Sequence, residues 1–87
     1  MIREFVRTHP HASTSLENWY DTVLKASWRS LTDVREVYPH ADLVGRRTVF
    51  NIAGNNFRLI SRINYQRQIV YILAILTHSE YDKEQWK

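Results

Sequence analysis

The chain has 87 residues, a length that allows one compact domain. It contains no cysteine, which excludes disulfides and thiolate metal sites, and its 44% of hydrophobic residues excludes a disordered chain. The formal net charge is +3. No apolar run approaches the ~18 residues that span a bilayer, and residues 1–4 lack the apolar core of a signal peptide. We therefore expect a cytoplasmic protein without membrane association.

Helical periodicity dominates the first half of the sequence. Apolar spacing predicts a short helix over residues 2–8, which ends before Pro10. A second helix is predicted from the capping box Thr14-x-x-Glu17 and from apolar residues that recur every three to four positions after it. A third, over residues 30–38, begins at Ser30 and stops at Pro39.

From residue 46 onward the pattern is that of strands. We predict strands over residues 48–52, 57–65 and 68–77, joined by two short turns into an antiparallel meander. Residues 69–76 are apolar without interruption, which predicts a central strand covered on both faces. The polar tail either forms a helical turn or folds back over the sheet.

The predicted fold class is therefore α+β, with two to three N-terminal helices packed on an antiparallel sheet. We expect a single domain over residues 1–87. Within it, residues 1–42 are mainly helical, residues 46–77 form the sheet and residues 78–87 form the C-terminal tail.

Positive charge is concentrated in the strand-rich half. No acidic residue lies between Asp42 and Glu80, and this interval holds five arginines: Arg46, Arg47, Arg58, Arg62 and Arg67. Alternation places Arg58 and Arg62 on the face of their strand opposite Phe57, so helices on the apolar face leave the arginine face open to a ligand. A planar guanidinium suits phosphate, which favours RNA as the ligand; the alternative is a solvated face with an excess of one charge.

His78 is the histidine best placed for chemistry. It follows the last apolar strand directly, with Tyr81 and Asp82 close behind, and histidine exchanges protons near neutral pH. The alternative is a surface histidine held by Asp82. The other three histidines, His9, His11 and His40, lie in proline-containing connections, where we expect neither a metal site nor a catalytic role. No metal-binding or cofactor-binding motif is found in the sequence.

In a meander the strand of Arg58 and the strand that ends at His78 are neighbours, so these residues can meet. Such a basic patch with one titratable group suits cleavage of RNA. A base removes the proton of a 2′-hydroxyl, which attacks the adjacent phosphate, and an acid protonates the leaving 5′-oxygen. Arginines stabilise the additional negative charge of the transition state, and no metal is required.

Several separated motifs, in order and at matching spacing, resemble the HigB toxin family. The strand-rich half contains RTVFNIAGNNFRLI at residues 47–60, RINY at 62–65, IVYI at 69–72 and THSEYD at 77–82. Upstream, WY at 19–20, ASW at 26–28 and YPHAD at 38–42 also resemble the family, so the likeness extends over nearly the whole chain.

This resemblance places the chain in the wider RelE-like (RelE/ParE) superfamily. It implies helices packed on a curved antiparallel sheet, and the toxin of a type II toxin–antitoxin pair. The implied activity is that of a ribosome-dependent mRNA interferase, an endoribonuclease that cleaves translated messages without a cofactor. The implied partners are mRNA, the ribosome and a HigA-like helix-turn-helix antitoxin that neutralises the toxin.

The resemblance also suggests roles for individual residues. His78 would be the general acid or base, Arg58 the transition-state clamp, Tyr81 an orienting or stacking residue, and Asp82 the partner that orients His78. The remaining basic residues would bind RNA or ribosomal RNA phosphates: Arg46, Arg47, Arg62, Arg67 and Lys83.

The sequence departs from the family at its start. Relatives usually begin with a short strand before the segment that matches Arg3-Glu4-Phe5, and without this strand we expect an exposed sheet edge. Two alternative functions follow. One is a non-catalytic module that binds RNA or the ribosome through the same arginines. The other is an antitoxin-binding module inactivated by the missing strand.

Overall fold

The computed structural model describes residues 1–86 and confirms the α+β class. The helices are α1 (Ile2–Thr8), α2 (Ser13–Lys25), α3 (Leu31–Val37) and α4 (His78–Asp82), with a 3₁₀ turn over Pro10–Ala12. The strands are β1 (Asp42–Val44), β2 (Arg47–Ile52), β3 (Phe57–Asn64) and β4 (Ile69–Thr77). All neighbouring strands are antiparallel, in the order β1-β2-β3-β4. The predicted meander is therefore confirmed, with the short β1 as an additional strand.

The core lies between the helices and one face of the sheet. Phe50 is its centre: it is fully buried and contacts Trp19, Trp28 and Tyr38, with ring centroids 5.4, 6.2 and 5.3 Å away. Phe57 and Leu59, on β3, point to the same face as Phe50 and belong to the core. The helices therefore cover the apolar side of that strand, as predicted.

The predicted capping box at Thr14 is wrong. Helix α2 begins one residue earlier, at Ser13, directly after the 3₁₀ turn, and its N-cap is Ala12 without a side-chain hydrogen bond. The preceding turn already bends the chain into the helix, so Thr14 lies inside the helix, beyond the capping position. Glu17 accepts a hydrogen bond from the Ser13 hydroxyl at 3.3 Å.

The predicted central position of the last strand is also wrong, because β4 is an edge strand. Its side chains alternate between exposed and half-buried over most of its length, with Tyr71 49% and Leu73 43% exposed. A bulge interrupts the register, since Ile60 pairs with Ala74 and Ser61 with Ile72, which leaves Leu73 unpaired. A bulge bends its strand and increases the twist, so uninterrupted hydrophobicity here did not mean burial on both faces.

The second face of the sheet carries the arginines, and it is partly covered. Val49 and Ile60 lie on this face with only 2% and 1% of their surface exposed. The tail following β4 folds over it, with Tyr81 against Arg58 and Trp86 against Arg47. Arg58 is consequently buried, whereas the sequence predicted an open arginine face. The difference arises because the tail folds back over the sheet, one of the two alternatives predicted for it.

Candidate active site

Helix α4 is held at the edge of the sheet by a capping box. The Thr77 hydroxyl accepts a hydrogen bond from the Glu80 backbone N–H at 3.2 Å, and the Glu80 carboxylate accepts one from the Thr77 N–H at 2.9 Å. The hydrogen bond from the Thr77 backbone lowers the pKa of Glu80 below its ordinary value. The His78 N–H donates to the Asn56 carbonyl at 3.0 Å, which attaches the helix to the β2–β3 turn. A five-residue helix depends on such contacts, because it is too short to be stable alone.

His78 is oriented by a carboxylate one helical turn further along. Its Nδ1 lies 2.9 Å from Asp82 Oδ2, and the two side chains are 44% and 59% exposed. With Nδ1 engaged in this contact, Nε2 is the ring nitrogen that remains for proton exchange with a substrate. The contact therefore favours one orientation of the His78 ring, in a position that solvent reaches.

Arg58 is a buried cation whose hydrogen bonds go to neutral oxygens. Only 8% of the residue is exposed. Its Nη1 donates to the Asn55 and Phe57 carbonyls at 3.2 and 3.1 Å, and its Nη2 donates to Asn55 Oδ1. The ion pairs among residues 1–86 involve other arginines or His78. A desolvated guanidinium without a carboxylate partner attracts an anion, and phosphate matches its geometry.

Tyr81 joins the arginine to the histidine-bearing helix. Arg58 Cζ lies 5.4 Å from the centroid of the Tyr81 ring, a cation–π contact. On a helix, residues three or four apart are neighbours, so Tyr81 and Asp82 both lie next to His78. The four predicted catalytic residues thus occupy one end of the β3–β4 pair, around the turn that contains Asn55. We call this group, Arg58, His78, Tyr81, Asp82 and Asn55, the Arg58 centre.

A second basic group lies further along the same face. Arg46, Arg47 and Arg62 line a surface groove of about 680 Å³ together with Val44, Gly45 and Leu73. Arg46 belongs to the β1–β2 turn, and Arg47 and Arg62 come together because Thr48 pairs with Ser61. We call it the arginine groove. Arg62 is four residues from Arg58 on β3, about 13 Å at the rise of a strand.

The other predicted RNA-binding residues are more distant or more exposed. Arg67 lies in the turn between β3 and β4, at the opposite end of the strands from His78, and its backbone N–H donates to Asn64 Oδ1 at 3.0 Å. Lys83 is an exposed residue at the end of α4. The structure thus brings Arg46, Arg47 and Arg62 together and leaves Arg67 outside both groups.

Sequence reasoning missed two residues of this site. Asn55 was assigned only to a turn, yet its side chain and carbonyl both accept from Arg58. Trp86 was assigned only to the tail, yet its carbonyl accepts from Arg47 Nη1 at 2.9 Å. The spacing Thr77-x-x-Glu80 carried the signal for the capped helix that positions His78.

Asn55 also borders a groove of about 600 Å³ on its other side. Its lining includes Tyr38, His40 and Asn51, so His40 lies nearer to the site than its place in a connection suggested.

His9 and His11 lie against Phe57, with ring centroids 5.4 and 5.1 Å away, at the same end of the sheet. Residues 1–86 contain no cluster of three or more potential metal ligands. Nor does any of their helices have the length and hydrophobicity to cross a membrane.

Comparison with known proteins gives the same assignment as the motifs. The chain is 26% identical over 84 residues to the "mRNA interferase toxin HigB" of Escherichia coli K12, covering 93% of this chain and 81% of that protein. It is 28% identical over 85 residues to an "mRNA interferase HigB" of Escherichia coli O6:H1, covering 94% and 82%. The model of the HigB toxin family, described as the RelE-like toxic component of a toxin–antitoxin system, matches residues 12–84. The chain therefore belongs to the HigB toxin family.

Proposed function

We propose that this chain is the toxin of a type II toxin–antitoxin pair and acts as an mRNA interferase, an endoribonuclease that cleaves translated messages. The relatives that carry this name support the activity. The observation that carries the proposal is the Arg58 centre, where a buried guanidinium with no anionic partner among residues 1–86 lies close to a histidine paired with a carboxylate. Cleavage of RNA by phosphoryl transfer requires such a cation to stabilise negative charge and such a group to transfer a proton.

The reaction is an attack of a 2′-hydroxyl on the adjacent phosphorus. The 2′-O–P bond forms and the P–O5′ bond breaks, which leaves a 2′,3′-cyclic phosphate and a 5′-hydroxyl. One proton leaves the 2′-oxygen and one is delivered to the 5′-oxygen. His78 Nε2 carries out one of these transfers, and a solvent water molecule carries out the other. Because the nucleophile belongs to the RNA, the scheme is metal-independent.

Each remaining residue has a role set by its position. Arg58 binds the non-bridging phosphate oxygens and stabilises the charge of the transition state; removal of such a donor costs about 10²–10³-fold in rate. Asp82 fixes the His78 ring, and Tyr81 orients the substrate or stacks on a base. Arg46, Arg47 and Arg62 hold the neighbouring phosphates, while Arg67 and Lys83 extend contact toward ribosomal RNA.

The proposed partners follow from the family. A toxin of this kind works on the ribosome, in the cytoplasm, and is neutralised by an antitoxin, which we propose to be HigA-like with a helix-turn-helix domain. The separation of the arginine groove from His78 favours one second candidate, a module that binds RNA or the ribosome without cleaving it. That module binds with a steep salt dependence, and its binding survives His78→Ala.

The direct test is a cleavage assay with purified chain, ribosomes translating a defined message, and analysis of the product ends. We expect cyclic-phosphate ends with the wild type and a rate lower by about 10²-fold or more in His78→Ala and Arg58→Ala. Arg29→Ala is the matched control, because the Arg29 side chain is 89% exposed and far from the site in the α2–α3 connection. RNA binding without cleavage by the folded wild type would establish the second candidate instead.

A further inference from the structure

Trp86 connects the two groups of arginines. Its carbonyl accepts from Arg47 Nη1 at 2.9 Å, and its indole Nε1 donates to the Tyr81 carbonyl at 2.9 Å. Its ring is stacked on the Tyr81 ring, with centroids 4.9 Å apart and planes inclined by 15°. Tyr81 in turn covers the Arg58 guanidinium. A continuous set of contacts therefore runs from Arg47 through Trp86 and Tyr81 to Arg58.

These contacts contribute little to the hydrophobic core. The core beneath the helices contains the buried tryptophans Trp19 and Trp28, whereas Trp86 is half-buried and lies over the other face of the sheet. Its segment, residues 83–86, has only turn structure after α4. What Trp86 fixes is therefore the orientation of Tyr81 and the position of Arg47. The stack on the Trp86 ring restricts the Tyr81 side chain, and the indole hydrogen bond to the Tyr81 carbonyl attaches the tail to the five-residue helix.

We propose that Trp86 is a positioning residue for RNA cleavage, which holds Tyr81 against Arg58 and Arg47 beside them; this proposal rests on the proposed endoribonuclease activity. The Tyr81 ring limits the Arg58 guanidinium to one position. The Trp86 carbonyl does the same for Arg47, because the indole ring, stacked on Tyr81, holds that carbonyl in place. Two guanidiniums held in fixed positions bind phosphates of one RNA strand without first losing conformational freedom. Without the indole ring, Tyr81 turns away and the Arg58 and Arg47 guanidiniums are no longer held in place. Small misplacements of catalytic groups lower the reaction rate strongly.

The test compares Trp86→Ala with Trp86→Phe, which keeps an aromatic ring on Tyr81. In the ribosome cleavage assay we expect Trp86→Ala to lower kcat/KM by about tenfold, mainly through kcat. Trp86→Phe restores at least about half of the wild-type rate, because the stack remains. Tyr20→Ala, an exposed aromatic on α2, is the control. Melting temperatures of all variants stay within about 2 °C of the wild type, since the core is untouched.

A second readout does not depend on cleavage. In a chain labelled with ¹⁵N-arginine, the Nε–Hε resonances of Arg58 and Arg47 shift in Trp86→Ala and remain in place in Trp86→Phe. If the wild type fails to cleave, the proposed function fails, and these spectra alone decide the positioning role. Unchanged Arg58 and Arg47 resonances in Trp86→Ala overturn the proposal. The proposal is also overturned if Trp86→Ala cleaves at the wild-type rate, or if Trp86→Ala and Trp86→Phe lose the same share of the cleavage rate.

Discussion

Replacing Arg58 by methionine should separate activity from stability. The guanidinium makes three hydrogen bonds to neutral oxygens, the residue is only 8% exposed, and it has no carboxylate partner in residues 1–86. Hydrogen bonds to a charged group contribute about 1.5–3 kcal/mol each, whereas desolvating the ion costs several kcal/mol. Two of the three acceptors belong to the exposed Asn55 and regain water when the arginine is removed, and the third is the Phe57 carbonyl. The stabilisation from the hydrogen bonds and the cost of burying the charged group therefore nearly cancel.

Methionine has a similar length, packs under Tyr81, and gains about 0.3–1.5 kcal/mol from a sulfur–aromatic contact. We expect the unfolding free energy of Arg58→Met to remain within about 1 kcal/mol of the wild type, while cleavage falls by about 10²–10³-fold. Urea denaturation and the ribosome assay measure the two quantities, with Arg29→Met, at a side chain that is 89% exposed, as the control. Destabilisation beyond about 3 kcal/mol would mean that Arg58 supports the fold, and retained cleavage would remove it from the site.

Three further predictions concern the elements that carry the site. Glu80→Gln weakens the α4 cap: the pKa of Glu80 is lowered in the folded chain, so the stabilisation is present above the unfolded pKa and is lost as pH falls through the folded value. The stability difference from wild type should therefore vanish in acid, and a difference that grows in acid would contradict the capping contact. Phe50→Ala should lower the unfolding free energy by about 3–5 kcal/mol in urea titrations, and a loss below about 1 kcal/mol would refute its central position. Leu73→Lys should reduce concentration-dependent association in sedimentation, because β4 is an uncharged edge strand; a wild type that stays monomeric at all concentrations would contradict this.

The element order could be predicted because periodicity and breakers agree with it. The pairs Ile52 with Phe57 and Asn64 with Ile69 close the turns where glycine, asparagine and polar residues predicted them. In the first turn, the positive φ angles fall on Ala53 and Gly54, before the asparagines. Local turn chemistry thus fixed the meander without fixing each backbone angle.

The position of β4 could not be predicted, since burial of a strand depends on what lies on its two sides and on its open edge. Uninterrupted hydrophobicity in Ile69–Leu76 is compatible with a central strand or an edge strand, and only the tertiary arrangement decides. The capping box was predicted at Thr14 but is found at Thr77, because here too the local pattern does not decide between two possibilities. The same spacing occurs at both places, and only at Thr77 does the chain enter the helix from an extended strand residue.

For the site, the residue types predicted the chemistry and the structure supplied the geometry. Alternation placed Arg58 and Arg62 on one face, but the burial of Arg58 depends on Tyr81, which is distant in sequence. The hydrogen bonds from Arg58 to Asn55 and from Arg47 to Trp86 have no signature in spacing or periodicity. Contacts between side chains of different elements are set by packing, which a single sequence does not display.

The central claim is that this chain cleaves messages through the Arg58 centre. The most direct measurement is induction of the full chain in bacteria, beside His78→Ala and Arg58→Ala, followed by mapping of mRNA 5′ ends across the transcriptome. We predict new 5′ ends within translated reading frames for the wild type, absent from untranslated regions and lost in both variants. A folded, expressed wild type that produces no new ends, or variants that produce the same ends, would contradict the account.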